Sequence, residues 1–188
     1  MPKKKEAAPV VISFPERYQV LGADLSLRRP GFALLDIEDK DGKATILNVK
    51  LMSVDTKTKK NLTHGQILTQ IYHAFIDFLG KDYMYQYIFY VREKMVMSKK
   101  VPSERDVAKV VGLMDFLLDT KAWNEIYPST IKKHITGSGN AEKSLVAECL
   151  KEYVGVLDYK NDDESDATAV AISWLIEHGK IRSAFDGK

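Results

Sequence analysis

The order of patterned segments limits this chain more than any single motif. Residues 18–25, 32–37 and 44–54 are three strand-like runs, separated by turn signals at Arg28-Arg29-Pro30-Gly31 and Asp39-Lys40-Asp41-Gly42. Helical periodicity then takes over: Ile67, Leu68, Ile71, Tyr72, Phe75, Ile76 and Leu79 recur at three- and four-residue spacing, and Gly80 stops the run. A short apolar strand at 87–91 is followed at once by Arg92-Glu93-Lys94. A second helix opens at Pro102-Ser103, with Ser103 as N-cap and Asp106 three residues on. Its apolar face is Val107, Val110, Val111, Met114, Leu117 and Leu118. A fifth strand at 123–127, a short helix at 129–135, a loop at 136–140, a helix at 141–154 and a last helix at 163–178 follow. The order β-β-β-α-β-α-β-α joins an antiparallel meander to strand–helix alternation. Such a chain makes a five-stranded mixed sheet, with parallel strands beside the meander and helices on both faces.

That order is the one of the RNase H-like fold, whose core is shared by actin-like kinases and ATPases, so fold does not decide function. A length of 188 residues suits a single α/β domain. Its expected bounds are residues 16–180, behind a flexible basic leader at 1–15 and ahead of a short tail at 181–188. No apolar run approaches a membrane span, and the Lys-rich start lacks the apolar stretch of an export signal. Cys149 is the sole cysteine, which excludes an internal disulfide and a cysteine metal cluster. A reducing, cytoplasmic setting is expected. The net charge of +2 does not mark a nucleic-acid binder, but Lys and Arg gather at Lys3 to Lys5, Lys57 to Lys60, Lys99/Lys100 and Lys132/Lys133. Phosphate binding depends on such local patches, although each alone reads better as a solvated loop or tail.

Four carboxylates occupy positions where this sheet gathers side chains. Asp24 ends the first strand, Glu93 lies just past the fourth, and Asp163 and Asp166 share a face at the start of the last helix. If the first and fourth strands are parallel neighbours, Asp24 and Glu93 lie side by side at strand ends, where open α/β sheets bind ligands. Each acid has an ordinary explanation: Asp24 as a turn opener, Glu93 as an ion-pair partner of Arg92 or Lys94, the other two as charges favoured by a helix dipole. Their convergence is what points to chemistry. Phosphodiester hydrolysis must activate a water and stabilise a leaving oxygen, and two hard divalent ions about 3.5–4 Å apart do both with carboxylate ligands. Crowded carboxylates repel one another unless a cation joins them. The expected cofactor is Mg²⁺, with Mn²⁺ able to substitute, at two ions per site. The four histidines show no metal-ligand spacing.

Three stretches carry a resemblance. Gly22-Ala23-Asp24-Leu25-Ser26 resembles the first-strand motif of the RuvC Holliday-junction resolvases. The run from Ile131 to Ser144 is similar to that family's Lys-containing loop, ending Gly-Ser-Gly-Asn-Ala-Glu-Lys-Ser, and Asp163-Glu164-Ser165-Asp166-Ala167-Thr168-Ala169-Val170-Ala171 resembles its closing helix. The resemblance covers roughly residues 18–178 and looks nearest to the RuvC-like resolvases of lactococcal phages. It implies a metal-dependent endonuclease that cuts four-way DNA junctions in recombination, repair or phage DNA processing. It also implies a homodimer, metal-binding acids at Asp24, Glu93, Asp163 and Asp166, and lysines supporting catalysis or phosphate binding at Lys132 and Lys143. Lys94, Lys99, Lys100 and Lys133 are further expected DNA contacts, and no nucleotide cofactor or membrane partner is expected. The second helix, through Val111 and Met114, is the expected dimer interface, with an intramolecular core face as an equal alternative.

Two departures from the family pattern bear on specificity. Leu25-Ser26-Leu27 stands where the family carries a glycine two positions after the first Asp, and Met95-Val96-Met97 follow Glu93 where it often carries a junction-stacking aromatic. A broader branched-DNA or flap endonuclease, an RNase H-like enzyme acting on RNA, and a catalytically weak DNA-binding protein are therefore the alternatives. Gly137 to Ser144 falls short of a phosphate-binding P-loop, because Glu142 occupies the required second glycine. An actin-like ATPase would need a glycine-rich turn after Asp24, which Leu25-Ser26-Leu27 does not supply.

Overall fold

The computed structural model describes residues 13–56, 61–80, 87–95, 103–118 and 123–185. Strand β1 (Arg17–Asp24) is central and pairs antiparallel with β2 (Gly31–Lys40), which pairs antiparallel with β3 (Lys43–Ser53). On its other side β1 runs parallel to β4 (Ile88–Glu93), and β4 runs parallel to β5 (Trp123–Ile126), giving the sheet order β3-β2-β1-β4-β5. The helices are α1 (His64–Leu79), α2 (Ser103–Leu117), α3 (Pro128–Thr136), α4 (Lys143–Cys149), α5 (Lys151–Val154) and α6 (Asp162–Glu177). This is the expected five-stranded mixed sheet with helices on both faces.

Side-chain alternation along β1 divides the core in two. Tyr18 and Val20 join Ile131, Ile135, Val146, Leu150 and Trp174 in one cluster, beneath α3, α4 and α6. Leu21 and Ala23 join Phe32, Ile71, Phe75, Val110 and Met114 in the other, beneath α1 and α2. Val110 and Met114 are fully buried there, so the apolar stripe of α2 belongs to the intramolecular core and Met114 is not free to form a dimer contact. Phe116 is the large apolar side chain of α2 that faces outward among the described residues, 78% exposed.

Helix α6 sits unusually low on the sheet, and two glycines allow it. A β-carbon on Gly22 would stand 2.1 Å from the carbonyl oxygen of Ala167, and one on Gly31 would stand 2.0 Å from that of Asp163. The opposing residues are equally small: Ala167 and Ala171 face Gly22. Asn161 caps the helix, its side-chain oxygen accepting from the backbone N–H groups of Asp163 and Glu164, so the helix begins one residue earlier than expected.

Three sequence expectations change. The helix expected over 141–154 divides at Leu150, whose N–H reaches the carbonyls of both Val146 and Glu148 while its fully buried side chain anchors the bend. Residues 1–12 lie outside the described residues, but Phe14 is no leader residue: its ring packs 5.2 Å from Phe89, 5.4 Å from Tyr18 and 5.7 Å from Trp174. Nor is the C-terminal stretch a loose tail throughout. Ile181 packs on the core, the Ser183 hydroxyl donates to the His134 carbonyl (3.0 Å), and the Ala184 N–H donates to the Tyr153 hydroxyl (2.9 Å).

Candidate active site

Asp24 and Glu93 are the final residues of β1 and β4, so Glu93 belongs to the strand and does not follow it. The parallel register pairs Ala23 with Arg92, and the next step along both strands sets Asp24 beside Glu93. Alternation turns both acids toward α6, on the face of Val20 and Val91. Arg92 points to the other face, where its guanidinium meets Asp115 at 2.7 Å and Glu125 at 2.9 Å. The ion-pair explanation of Glu93 through Arg92 therefore fails: neighbours in sequence lie on opposite faces.

Helix α6 supplies the third acid. Held down by Gly22, it presents Asp166 to a cavity of about 330 Å³ that Asp24, Glu93, Lys132 and Lys143 also line, with Ile131 and Val146 as apolar wall. The Lys143 ammonium donates to Asp166. Burial, then the charges of Asp166 and Glu93, push the Asp24 carboxyl up to about 7 against the opposing pull of Lys143. Glu93 is raised by burial and by Asp166, with Lys143 and Lys132 pulling it back. Asp166 is raised by burial, although its hydrogen bond from Lys143 works the other way. Burial lowers the Lys143 ammonium, but the hydrogen bond to Asp166 and the surrounding carboxylates outweigh it, so its proton is held more tightly than usual.

The charge of Asp163 reaches Asp24, Asp166 and Lys143, but its side chain is differently placed. It does not line the cavity, and the Arg29 guanidinium donates to it. The sequence expected all four acids together; three converge, and the fourth is engaged by a cation from the β1–β2 turn. Among the described residues no three His, Cys, Asp or Glu side chains are close enough together to share one ion. Two of the acids are instead paired with cations, Asp166 with Lys143 and Asp163 with Arg29.

The lysines separate by position. Lys132 and Lys143 line the cavity. Lys94 does not line it; its backbone N–H donates to the Ile126 carbonyl (2.7 Å) and its Nζ lies 4.6 Å above the Tyr127 ring. Lys133 is exposed on α3, and Lys99 and Lys100 lie outside the described residues, as do Val96 and Met97.

Sequence reasoning missed two residues and undervalued a third segment. Arg29 was read as part of a turn; its signal was its nearness in sequence to Gly31, the glycine pressed against Asp163. Glu164 enters the sequence reading only as a member of the closing-helix motif, yet it is 1% exposed and accepts from the Ser53 hydroxyl (2.9 Å) and the Lys160 N–H (2.9 Å). Nothing in the sequence separates it from Asp162. The Leu25-Ser26-Leu27 departure has a structural basis: Leu25 and Leu27 are buried against the α1 and α2 core, and the Ser26 hydroxyl accepts from the Arg29 N–H (3.0 Å).

The family model described as crossover junction endodeoxyribonuclease RuvC matches residues 20–174. Proteins of that description from Ehrlichia canis (strain Jake) and Ehrlichia ruminantium (strain Gardel) are 31% and 29% identical over 158 and 155 residues, each alignment covering 81% of this chain and 93% of the relative. Among solved structures, Thermus thermophilus RuvC in complex with Holliday junction substrate shares the fold with a TM-score of 0.65 at 16% identity, covering 87% of this chain and 97% of that one. Fowlpox virus resolvase with substrate Holliday junction DNA shares it with a TM-score of 0.50 at 13% identity, covering 85% and 97%.

Proposed function

The chain belongs to the crossover junction endodeoxyribonuclease RuvC family, and from that premise we propose that it is a structure-specific endonuclease cutting four-way DNA junctions with the site at the ends of β1 and β4. It is a divalent-metal-dependent hydrolase of phosphodiester bonds that takes branched DNA as substrate. The observation that carries the assignment of the site is the convergence of Asp24, Glu93 and Asp166, from β1, β4 and α6, on one cavity with Lys132 and Lys143.

The donor set fits a hard divalent cation. Three carboxylates hold protons more tightly than usual because they are buried and crowd one another, and all of their donor atoms are oxygens. We assign Mg²⁺, with Mn²⁺ as substitute and two ions per site, and name Asp24, Glu93, Asp163 and Asp166 as the residues that would hold them. When bound, such ions activate the attacking water and stabilise the leaving oxygen. Lys143 orients Asp166 and offers its remaining N–H donors to a scissile phosphate. Lys132, on the first turns of α3, adds charge to the same wall. Lys94, Lys99, Lys100 and Lys133 extend the positive surface along which the DNA arms lie.

The enzyme acts as a homodimer, whose two-fold axis suits a substrate with two symmetric strands to cut. Packing of Phe14 and of residues 181–185 supports a nuclease domain slightly wider than residues 16–180. Kinship with the resolvases of lactococcal phages rests on the sequence motifs, and the cytoplasm of a bacterial cell is the compartment that supplies this substrate. No described helix is long and apolar enough to cross a membrane. A broader branched-DNA endonuclease is the second reading, favoured by Met95 after Glu93 in place of a stacking aromatic.

The test is cleavage of a synthetic four-way junction, a flap and a linear duplex, each with Mg²⁺, with Mn²⁺ and with chelator. Metal-dependent nicking of the junction in preference to duplex is expected. No cleavage with either metal would sink the enzyme assignment, and equal cutting of flap and junction would favour the second reading.

A further inference from the structure

We propose that Arg29 is a latch on Asp163: it holds that carboxylate out of the metal cluster until a DNA phosphate draws the guanidinium away. The inference rests on the reading of the site as a metal-dependent nuclease centre. It assigns to Arg29 a positioning role in loading the second ion.

Arg29 is presented firmly. Its own N–H donates to the Ser26 hydroxyl (3.0 Å), and the preceding carbonyl, that of Arg28, accepts from both the N–H (3.0 Å) and the hydroxyl (2.8 Å) of Thr56. Pro30 follows and passes its carbonyl to the Val54 N–H (3.1 Å), and Gly31 then presses against the backbone of Asp163. The β1–β2 turn and the first turn of α6 are thus fixed to each other, and the Arg29–Asp163 pair spans the junction. Its side chains are 27% and 17% exposed, so the pair is shielded from water and salt more than a surface ion pair is.

The charges explain why such a latch matters. Asp24, Glu93, Asp163 and Asp166 carry four negative charges against Arg29, Lys132 and Lys143. One divalent ion among Asp24, Glu93 and Asp166 would more than offset the single charge that remains. A second ion needs Asp163 and must compete with a guanidinium already seated on it, which weakens that ion in the absence of DNA. A guanidinium grips phosphate with the same fork it uses for carboxylate. The substrate backbone is therefore the group that can take Arg29 from Asp163, and a complete metal pair forms only with DNA in place.

The measurement is a Mn²⁺ titration without DNA, with the spin-resonance signal of the free ion reporting uptake. The wild-type protein should take one ion tightly and a second at least about tenfold more weakly. Arg29→Gln should tighten the second ion about tenfold and leave the first unchanged. In the otherwise wild-type chain, Asp163→Asn should leave the first ion within about twofold and remove the second. This arm tests the latch even if Arg29→Gln fails to fold. Coincident isotherms for wild type and Arg29→Gln, or loss of the first ion in Asp163→Asn, would overturn the latch and leave the metal centre standing. No Mn²⁺ uptake by any variant would overturn the metal centre itself, and the latch with it.

Discussion

Gly22 of β1 lies so close beneath Ala167 of α6 that a β-carbon on it would sit 2.1 Å from the Ala167 carbonyl oxygen. The obstacle is helix backbone, which cannot swing aside as a side chain can. Gly22→Ala should force α6 away from the sheet, carry Asp166 with it, and destabilise the fold by about 3 kcal/mol. Urea unfolding checks the stability, and cleavage well below the unfolding midpoint checks the site. Wild-type behaviour in both would mean that α6 has freedom this packing denies it.

Asp24, with its carboxyl pushed up to about 7, gives a pH dependence of known sign. The fold favours the protonated form, so this contribution to stability is full below the ordinary carboxylate range and is lost as pH rises through about 7. In chelator, the melting temperature should fall between about pH 5 and about pH 8 in the wild type, with a flatter profile in Asp24→Asn. At about pH 8, Mg²⁺ should raise the wild-type midpoint more than that of the variant. The same variant should lose cleavage on the order of a thousandfold while still shifting a labelled junction in a gel.

Lys143 touches Asp166 and lowers the proton affinity of Asp24, Glu93 and Asp166 together. Lys143→Ala should reduce single-turnover cleavage about a hundredfold. It should also move the rising limb of the pH–rate profile to higher pH, because the three acids then give up their protons later. An unchanged profile with a lower plateau would leave Lys143 as a phosphate contact alone.

Glu164 is buried beside the site without lining it, and Glu164→Ala would strand the Ser53 hydroxyl and the Lys160 N–H. A loss of about 2–3 kcal/mol is expected in denaturant unfolding. Cleavage at low temperature should stay near the wild-type rate, which separates this carboxylate from Asp163 and Asp166 on either side.

Met114 gives the corresponding check on α2. As a fully buried side chain among Val110, Phe75 and Tyr90, it should cost about 2–4 kcal/mol when cut to alanine. Sedimentation should show the same oligomeric state as wild type. A shift toward monomer would return Met114 to an interface.

The sheet was legible in the sequence because strand and helix periods differ and because turn residues mark each boundary. Asp24, Glu93 and Asp166 were legible because two are tied to strand ends and one to a helix face, positions that pattern alone can locate. Asp163 lies on the expected helix, but its pairing with Arg29 was not legible. Its partner Arg29 is distant in the chain, and no periodicity shows which of two acids on one helical face a guanidinium will claim. Glu164 and Phe14 were opaque for a related reason. Their burial depends on Ser53 and on Trp174, contacts that exist only once the layers have assembled.

Strand β4 sends Arg92 to one side of the sheet and Glu93 to the other, within a parallel register fixed against β1 at Gln19–Ile88 through Ala23–Arg92. A single residue inserted between Phe89 and Arg92 would move Arg92 into the place of Glu93, setting a guanidinium against Asp24, and carry Glu93 past the strand end and onto the opposite face. The cavity would change from cation-seeking to cation-bearing with no substitution in its own residues. The nuclease therefore carries a parity rule: this strand tolerates changes of side chain far better than changes of length.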